Sequence, residues 1–242
     1  MGNRQLKSKH INHLAPLGRL RGLVGLLLSD TLHSKIMQRR LIRSGELVME
    51  PFSSLGRTLL KGEMQWHGVS IGRRSYWLSG YCWGYGKVHV GRYCSISENV
   101  SIGAGDHPAA WLSTSSFFYH SEPVLLSYEM SYQHVVETTI GNDVWIGENA
   151  MVMQGIHVGD GAIIGSGAVV THDVPAWAIV VGVPARILKY RFDEQTRQRL
   201  AAVQWWTKSE DELRRLNVTN IEACLSVLES LPSTEGSRGG ER

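Results

Sequence analysis

The aliphatic residues between Ile140 and Val170 return at intervals of six: Ile140, Ile146, Val152, Val158, Ile164 and Val170. Two residues before each stands an uncharged, mostly small residue (Thr138, Val144, Ala150, Ile156, Ala162, Ala168), and glycine follows four of them, at Gly141, Gly147, Gly159 and Gly165. On an α-helix six residues turn through about 600°, which would scatter these side chains around the axis. In an extended strand residues two apart share a face, so each pair points inward together. The chain must then turn and repeat the operation. A glycine after the aliphatic residue suits a corner that needs unusual dihedrals or close backbone approach. This period predicts a parallel β-helix whose stacked coils share one core. Three hexapeptides per coil would make a triangular prism.

The same spacing occurs upstream at Val90, Ile96 and Ile102, preceded by Val88, Cys94 and Val100. Ile71-Gly72 begins another turn but is out of register with Val90 by one residue, so residues 66–87 read as irregular first coils. The spacing fails between Ile102 and Ile140, whose separation of 38 is not a multiple of six. A long arm, residues 107–137, is expected to leave the prism there. Beyond the prism, "RFDEQTRQRLAAVQWW" reads as a helix capped by Asp193, with Leu200, Val203 and Trp206 on one face. "TNIEACLSVLES" reads as a further short helix capped by Thr219 or Asn220. The predicted parts are therefore an N-terminal extension, partly helical, over 1–65, a β-helix domain over 66–192, helices over 193–230, and a polar tail over 231–242 expected to be disordered.

A chain of 242 residues accommodates one such domain with appendages. The net charge of +3 does not propose a general nucleic-acid binder. Three cysteines with no CxxC pair exclude a disulfide framework and a Cys-pair metal site. Cys94 falls on an inward position, which predicts a buried, reduced thiol and a cytoplasmic setting. Residues 1–45 hold nine Lys or Arg against one acid, Asp30. Within them "LAPLGRLRGLVGLLLSD" is apolar but broken by Arg19, Arg21 and three glycines, too short and interrupted for a membrane span. It also lacks a small-residue cleavage site. A helix packed on the prism end or on a neighbouring subunit is the preferred reading. Peripheral contact of residues 1–45 with the inner face of a membrane is the alternative.

The spacing, taken with "GDHP" at the head of the arm, "IGNDVWIG", "GSGAVVTHDVP", "GVPARILKYRF" and "QWW", resembles the hexapeptide-repeat acyltransferases. More narrowly it resembles the branch of xenobiotic (chloramphenicol and streptogramin) acetyltransferases and their polysaccharide-modifying relatives, over roughly residues 66–230. The resemblance implies a left-handed β-helix, a homotrimer with active sites between subunits, and acetyl-CoA as co-substrate. It implies acetyl transfer to a hydroxyl, with no metal.

That chemistry needs a base for the hydroxyl proton and donors for the charge that develops on the carbonyl oxygen. Histidine is the natural base, because its unperturbed pKa lies near neutrality. Of ten histidines, His107 stands where the chain leaves the prism, before Pro108, which fixes the backbone. The family's catalytic histidine has this place. The arm's length and aromatic content suit an acceptor-binding segment, with Trp111, Ser113, Phe117, Phe118 and Tyr119 as wall candidates. Packing of these aromatics on a neighbouring subunit is the competing reading. Trp145, one residue before Ile146, must point outward. By resemblance it lies beside the acyl-transfer site, with a subunit-interface role as the alternative. The resemblance maps cofactor contacts onto Ser166, Thr171, Arg186 and Lys189. Gly147 and Gly165 would admit pantetheine closely, and Arg191 would add charge for the CoA phosphates. Where many relatives carry lysine after that threonine, this chain has His172.

A zinc enzyme of the γ-carbonic anhydrase type would need a close histidine pair, and no His-x4-His is present. A non-catalytic β-helix scaffold is the remote alternative. For the acceptor, the extra aromatic cluster in the arm and the basic extension favour a hydroxyl of a saccharide or glycan precursor. A hydroxylated antibiotic of the chloramphenicol or streptogramin type is the alternative.

Overall fold

The computed structural model describes residues 47–51, 53–61, 68–83, 87–115 and 136–231, together with Arg43 and Phe118. The basic segment 1–42, the arm from 119 to 135 and the tail 232–242 lie outside the described residues. The chain is mainly β, and its strands pair in parallel by coiling back onto themselves.

The first coil holds β1 (Leu47–Met49) and β2 (Ser54–Lys61), and the second β3 (Val69–Ile71) and β4 (Tyr76–Trp83). The third holds β5 (Val88–Val90), β6 (Ser95–Ile96) and β7 (Val100–Ala104). The fourth, after the arm, holds β8 (Thr138–Ile140), β9 (Trp145–Ile146) and β10 (Met151–Met153). The fifth holds β11 (His157–Val158), β12 (Ile163–Ile164) and β13 (Val169–Val170). The last has β14 (Ala178–Val181), on which β15 (Arg186–Tyr190) folds back antiparallel. One face stacks β1, β3, β5, β8 and β11 in that order. β4 bends around a corner: Tyr76 and Trp77 pair with β6, Gly80 to Cys82 with β7. It thereby joins a second face (β4, β6, β9, β12, β14) to a third (β4, β7, β10, β13).

The register explains the six-residue period. Thr139 lies against His157 and Trp145 against Ile163, each eighteen residues on, which is three hexapeptides per coil. Ser95 lies against Trp145, fifty residues on, so the arm adds thirty-two without disturbing the stack. Ile71 lies against Val90, nineteen residues on, one more than a regular coil. The spaced aliphatics are the core: Ile140, Ile146, Val152, Val158, Ile164 and Val170 are each at most 1% exposed, as are Thr138, Val144, Ala150, Ala162 and Ala168.

Two details correct the sequence reading. The coil begins at Leu47, earlier than the boundary at 66, because β1 pairs with β3 and β2 with β4 at a separation of twenty-two residues. Extra loop residues in that coil break the period and hide it. Of the two roles read for the glycines after the aliphatic marks, an unusual corner dihedral is found only at Gly103 (φ 75°), and close approach accounts for the rest. At Gly91 an added Cβ would meet the Gly141 carbonyl oxygen of the next coil at 2.5 Å, so close stacking is what requires glycine there. The left-handed residue comes two positions later, as Arg74 (φ 63°), Tyr93 (φ 60°), Asp143 (φ 55°), Gly161 (φ 67°) and Trp177 (φ 63°), in register at one corner.

Past β15 come α1 (Glu194–Val203), α2 (Glu210–Leu213) and α3 (Ile221–Ser230). Asp193 caps α1 by accepting from the Thr196 N–H, and Asn220 caps α3 by accepting from that of Ala223. Leu200 and Leu225 close with Trp206 on Trp177, clamping the helices to the prism corner. Arg199 bonds both Glu222 and Glu229, tying α1 to α3.

Candidate active site

β7 ends at Ala104, and the chain departs through exposed Gly105, Asp106 and His107 before buried Pro108. The departure is fixed by one side-chain bond and one backbone bond. Gln154 at the end of β10 donates to Asp106 Oδ1 at 3.0 Å, and the Trp111 N–H donates to the Pro108 carbonyl at 3.1 Å. The arm then turns back. His107 Nδ1 lies 2.9 Å from the Thr114 carbonyl oxygen. A carbonyl only accepts, so Nδ1 carries a proton, and in the neutral ring Nε2 is the acceptor. A histidine held in this tautomer has its basic nitrogen turned away from its anchor.

Trp111, Ser113 and Phe118 are half-buried around this turn, whereas Phe117 and Tyr119 lie outside the described residues. The Ser113 hydroxyl accepts from the Ser115 N–H at 3.1 Å, so it shapes the turn.

Trp145 is elsewhere. It stands on β9, 50% exposed, on the second face. His107 leaves from the corner between the third and first faces, opposite that face of the same chain. Beside Trp145 lies Arg191, whose Nη1 donates to Asp143 Oδ2 at 3.0 Å and to the Gly161 carbonyl at 2.8 Å. Its guanidinium also packs over Trp177 at 5.3 Å. Burial outweighs this pairing and pushes the Asp143 carboxyl up.

The remaining cofactor candidates gather at the end of the stack. Ser166 is exposed on the turn between β12 and β13. Its backbone fills the space over Gly147, where an added Cβ would lie 2.6 Å from the Ser166 nitrogen. At Gly165 the same atom would meet Val181 Cγ1 at 2.8 Å. Thr171 is exposed with its Oγ1 2.9 Å from His172 Nδ1. His172 and Arg186 rim an open hollow of about 300 Å³ floored by Val170, Val174, Val180 and Ala185. Lys189 stands on β15, exposed along its whole length. Arg191 is five residues from Arg186 on that extended run, about 16 Å away. The structure therefore brings Thr171 and Arg186 to one locality and Arg191 to another, with Trp145.

Sequence reasoning did not find the Thr114 carbonyl or the Asp106–Gln154 bond that orient His107. A backbone acceptor leaves no trace in residue type. The Asp143–Arg191 pair joins residues forty-eight apart, a contact visible only once the coils are stacked. Among the described residues, no group of three or more His, Cys, Asp or Glu gathers to hold a metal ion. Among them, too, no helix is long and apolar enough to cross a membrane.

Comparison with known proteins follows the same lines. The family described as "Bacterial transferase hexapeptide (six repeats)" matches residues 137–172. A chloramphenicol acetyltransferase of Morganella morganii is 38% identical over 176 residues, 64% of this chain and 83% of that protein. A probable macrolide acetyltransferase of Lysinibacillus sphaericus is 33% identical over 148 residues, 59% of this chain and 82% of that protein. Among solved structures, a hexapeptide-repeat-containing acetyltransferase of Vibrio cholerae O1 biovar eltor, complexed with acetyl coenzyme A, superposes with a TM-score of 0.50. It is 21% identical and covers 78% of this chain and 96% of that one, a likeness of fold.

Proposed function

Because this chain belongs to the hexapeptide-repeat acyltransferases, being 38% identical to a relative along 83% of that relative's length, we propose that it moves an acetyl group from acetyl-CoA to a hydroxyl, with His107 as general base. The observation that supports this most is the bond from His107 Nδ1–H to the Thr114 carbonyl at 2.9 Å, which presents Nε2 as acceptor. As the acceptor oxygen attacks the thioester carbonyl, Nε2 takes its proton. The same nitrogen then returns the proton to the departing thiolate.

Arg186 and Lys189 are the cations proposed for the CoA phosphates, with Thr171 and Ser166 as hydroxyl contacts; the space beside Gly147 and Gly165, expected to admit pantetheine, is instead taken by Ser166 and Val181, so these two glycines serve the stacking of the coils. Arg191, engaged with Asp143, would act there only through its remaining nitrogens. Trp111, Ser113, Phe117, Phe118, Tyr119 and Trp145 remain the acceptor-binding residues of this reading. We take the coil to be left-handed and the assembly to be a homotrimer with sites between copies. His107 and Trp145 on opposite sides of one chain support that arrangement, because no single copy joins them. The proposed setting is cytoplasmic, which suits the buried free thiols of Cys82, Cys94 and Cys224.

Two acceptor classes are separated by one experiment. The names of the relatives favour a hydroxylated antibiotic, whereas the basic residues 1–45 and the aromatic arm favour a saccharide or glycan precursor. CoA release is measured with chloramphenicol, a macrolide, a streptogramin and a panel of sugars and glycolipids. Release with any of them supports acetyl transfer and names the class. No release with any of them, while acetyl-CoA binds, contradicts the reading.

A further inference from the structure

The first face carries a row of polar side chains that neither the stacking of the coils nor the proposed acetyl transfer uses. Ser70 and His89 stand in direct register on β3 and β5, and Glu137 directly precedes β8, the next strand of the stack. Ser70 and His89 each sit between two core residues of their own strand and so point outward. Ser70 Oγ lies 2.6 Å from His89 Nδ1. On the other side of the ring, His89 Nε2 lies 3.3 Å from Glu137 Oε1. A carboxylate only accepts, so in the neutral ring it favours the proton on Nε2 and leaves the Nδ1 lone pair to the Ser70 O–H. A hydroxyl donating to an imidazole that a carboxylate orients is the arrangement of an activated nucleophile.

The surroundings suit an ester carbonyl. Gly68, two residues before Ser70, brings no side chain to cover the hydroxyl. Exposed Lys87 lies opposite it, since the next residue, Val88, donates its N–H to the Gly68 carbonyl. Two residues before His89, Lys87 is on the same side of its strand. Its ammonium, on a flexible four-carbon stem, reaches the space over Gly68 and meets charge that develops on a carbonyl oxygen there. The side chains of His89 and Glu137 are 40% and 55% exposed, so a substrate arrives directly from solvent. A flat strand face has no depth for a long acyl chain.

We propose that Ser70, His89 and Glu137 form a second site, which hydrolyses carboxylic esters of short acids through an acyl-Ser70 intermediate. It uses neither acetyl-CoA nor His107. Ser70 Oγ bonds to the carbonyl carbon as its proton passes to His89 Nδ1. The ester C–O bond then breaks, and the departing alkoxide takes that proton and leaves as an alcohol. Next a water gives a proton to Nδ1 as its oxygen bonds to the acyl carbon. The acyl–Oγ bond breaks, Ser70 recovers the proton from Nδ1, and the acid departs. Glu137 faces the imidazolium in both halves. Ester and water become alcohol and acid.

The test uses the full chain without acetyl-CoA, with p-nitrophenyl acetate as substrate and diisopropyl fluorophosphate as probe. The expected result is release of nitrophenol and a phosphoryl adduct that peptide mass spectrometry locates at Ser70. Release at saturation should fall at least about 10²-fold in both Ser70→Ala and His89→Ala. Glu137 is a positioning residue, so Glu137→Gln should lower kcat with KM unchanged. Thermal melts of the variants should match the parent, since the side chains face outward. A parent protein that forms no adduct at Ser70 overturns the site, whatever the variants do. Adduct formation at the parental rate in His89→Ala also overturns it, and makes the row a set of bonds between strands. Hydrolysis lost in His107→Ala but kept in Ser70→Ala moves the reaction to the transfer site and overturns the proposal equally.

Discussion

Strand β9 is two residues long, and its two side chains should have opposite fates. Ile146 is 0% exposed and stacks between Ile96 of the coil before and Ile164 of the coil after. Ile146→Ala removes three carbons, about 2.4 kcal/mol at about 0.8 per buried carbon group. The coil backbones cannot close on the gap, because strand pairing fixes their spacing at about 4.8 Å. A residual cavity of about 60 Å³ would add about 1.4 kcal/mol at about 24 cal/mol per Å³. The expected loss is therefore about 4 kcal/mol, or roughly 8–16 °C in Tm for a domain of this size. Trp145→Ala, on the exposed side, should cost under about 1 kcal/mol while weakening acceptor binding. The assay is urea unfolding at one fixed protein concentration, since assembly makes stability concentration-dependent. An Ile146→Ala variant within about 1 kcal/mol of the parent, or a Trp145→Ala variant that loses as much as Ile146→Ala, would refute the inward–outward assignment of the strand.

Other expectations follow from single contacts. Arg186→Ala should raise the KM for acetyl-CoA more than it lowers kcat, and the reverse pattern in steady-state kinetics would remove Arg186 from the cofactor site. Burial pushes the Cys82 and Cys94 thiols up to about 12. A thiol titration of the native protein at pH 8 should therefore register neither, and all three cysteines only after unfolding; fast reaction of two thiols in the native state would contradict their burial. Glu50 accepts both Arg92 nitrogens at 2.8 Å, and this pairing is the largest cause holding its carboxyl below the usual 4.5. A depressed folded pKa contributes stability above 4.5 that is lost as pH falls through the folded value. Glu50→Gln should thus be less stable than the parent at pH 7, with the gap closing below pH 4.5 in denaturation curves. A gap that persists unchanged at low pH would assign it to packing instead.

The six-residue period was legible because inward position depends only on chain spacing, and the residues it marks, from Val88 to Val170, are the buried ones. Trp145 was legible as outward for the same reason. The first coil was not, because twenty-two residues separate Leu47 from Val69 and no fixed spacing survives. The corner conformation was also hidden. Arginine, tyrosine, aspartate, glycine and tryptophan all occupy it, at Arg74, Tyr93, Asp143, Gly161 and Trp177, so residue type does not mark it. At the site, the exit of the chain at His107 could be read from the break in the period. The contacts around it could not: the Thr114 carbonyl on His107 is a backbone acceptor that residue type does not mark, and the Asp106–Gln154 and Asp143–Arg191 bonds come from coils brought together by stacking. Cations close in sequence, Arg186 and Arg191, end at separate places because an extended strand carries them apart.

On the proposed mechanism the transfer step depends on one imidazole at the corner where the arm departs. Its most direct test is single-turnover acetyl transfer by His107→Ala beside the parent at saturating acetyl-CoA, with coenzyme affinity measured on the same samples. The account predicts a rate lower by about 10²–10⁴ with coenzyme binding within about threefold of the parent. A variant that transfers acetyl at the parental rate would contradict it.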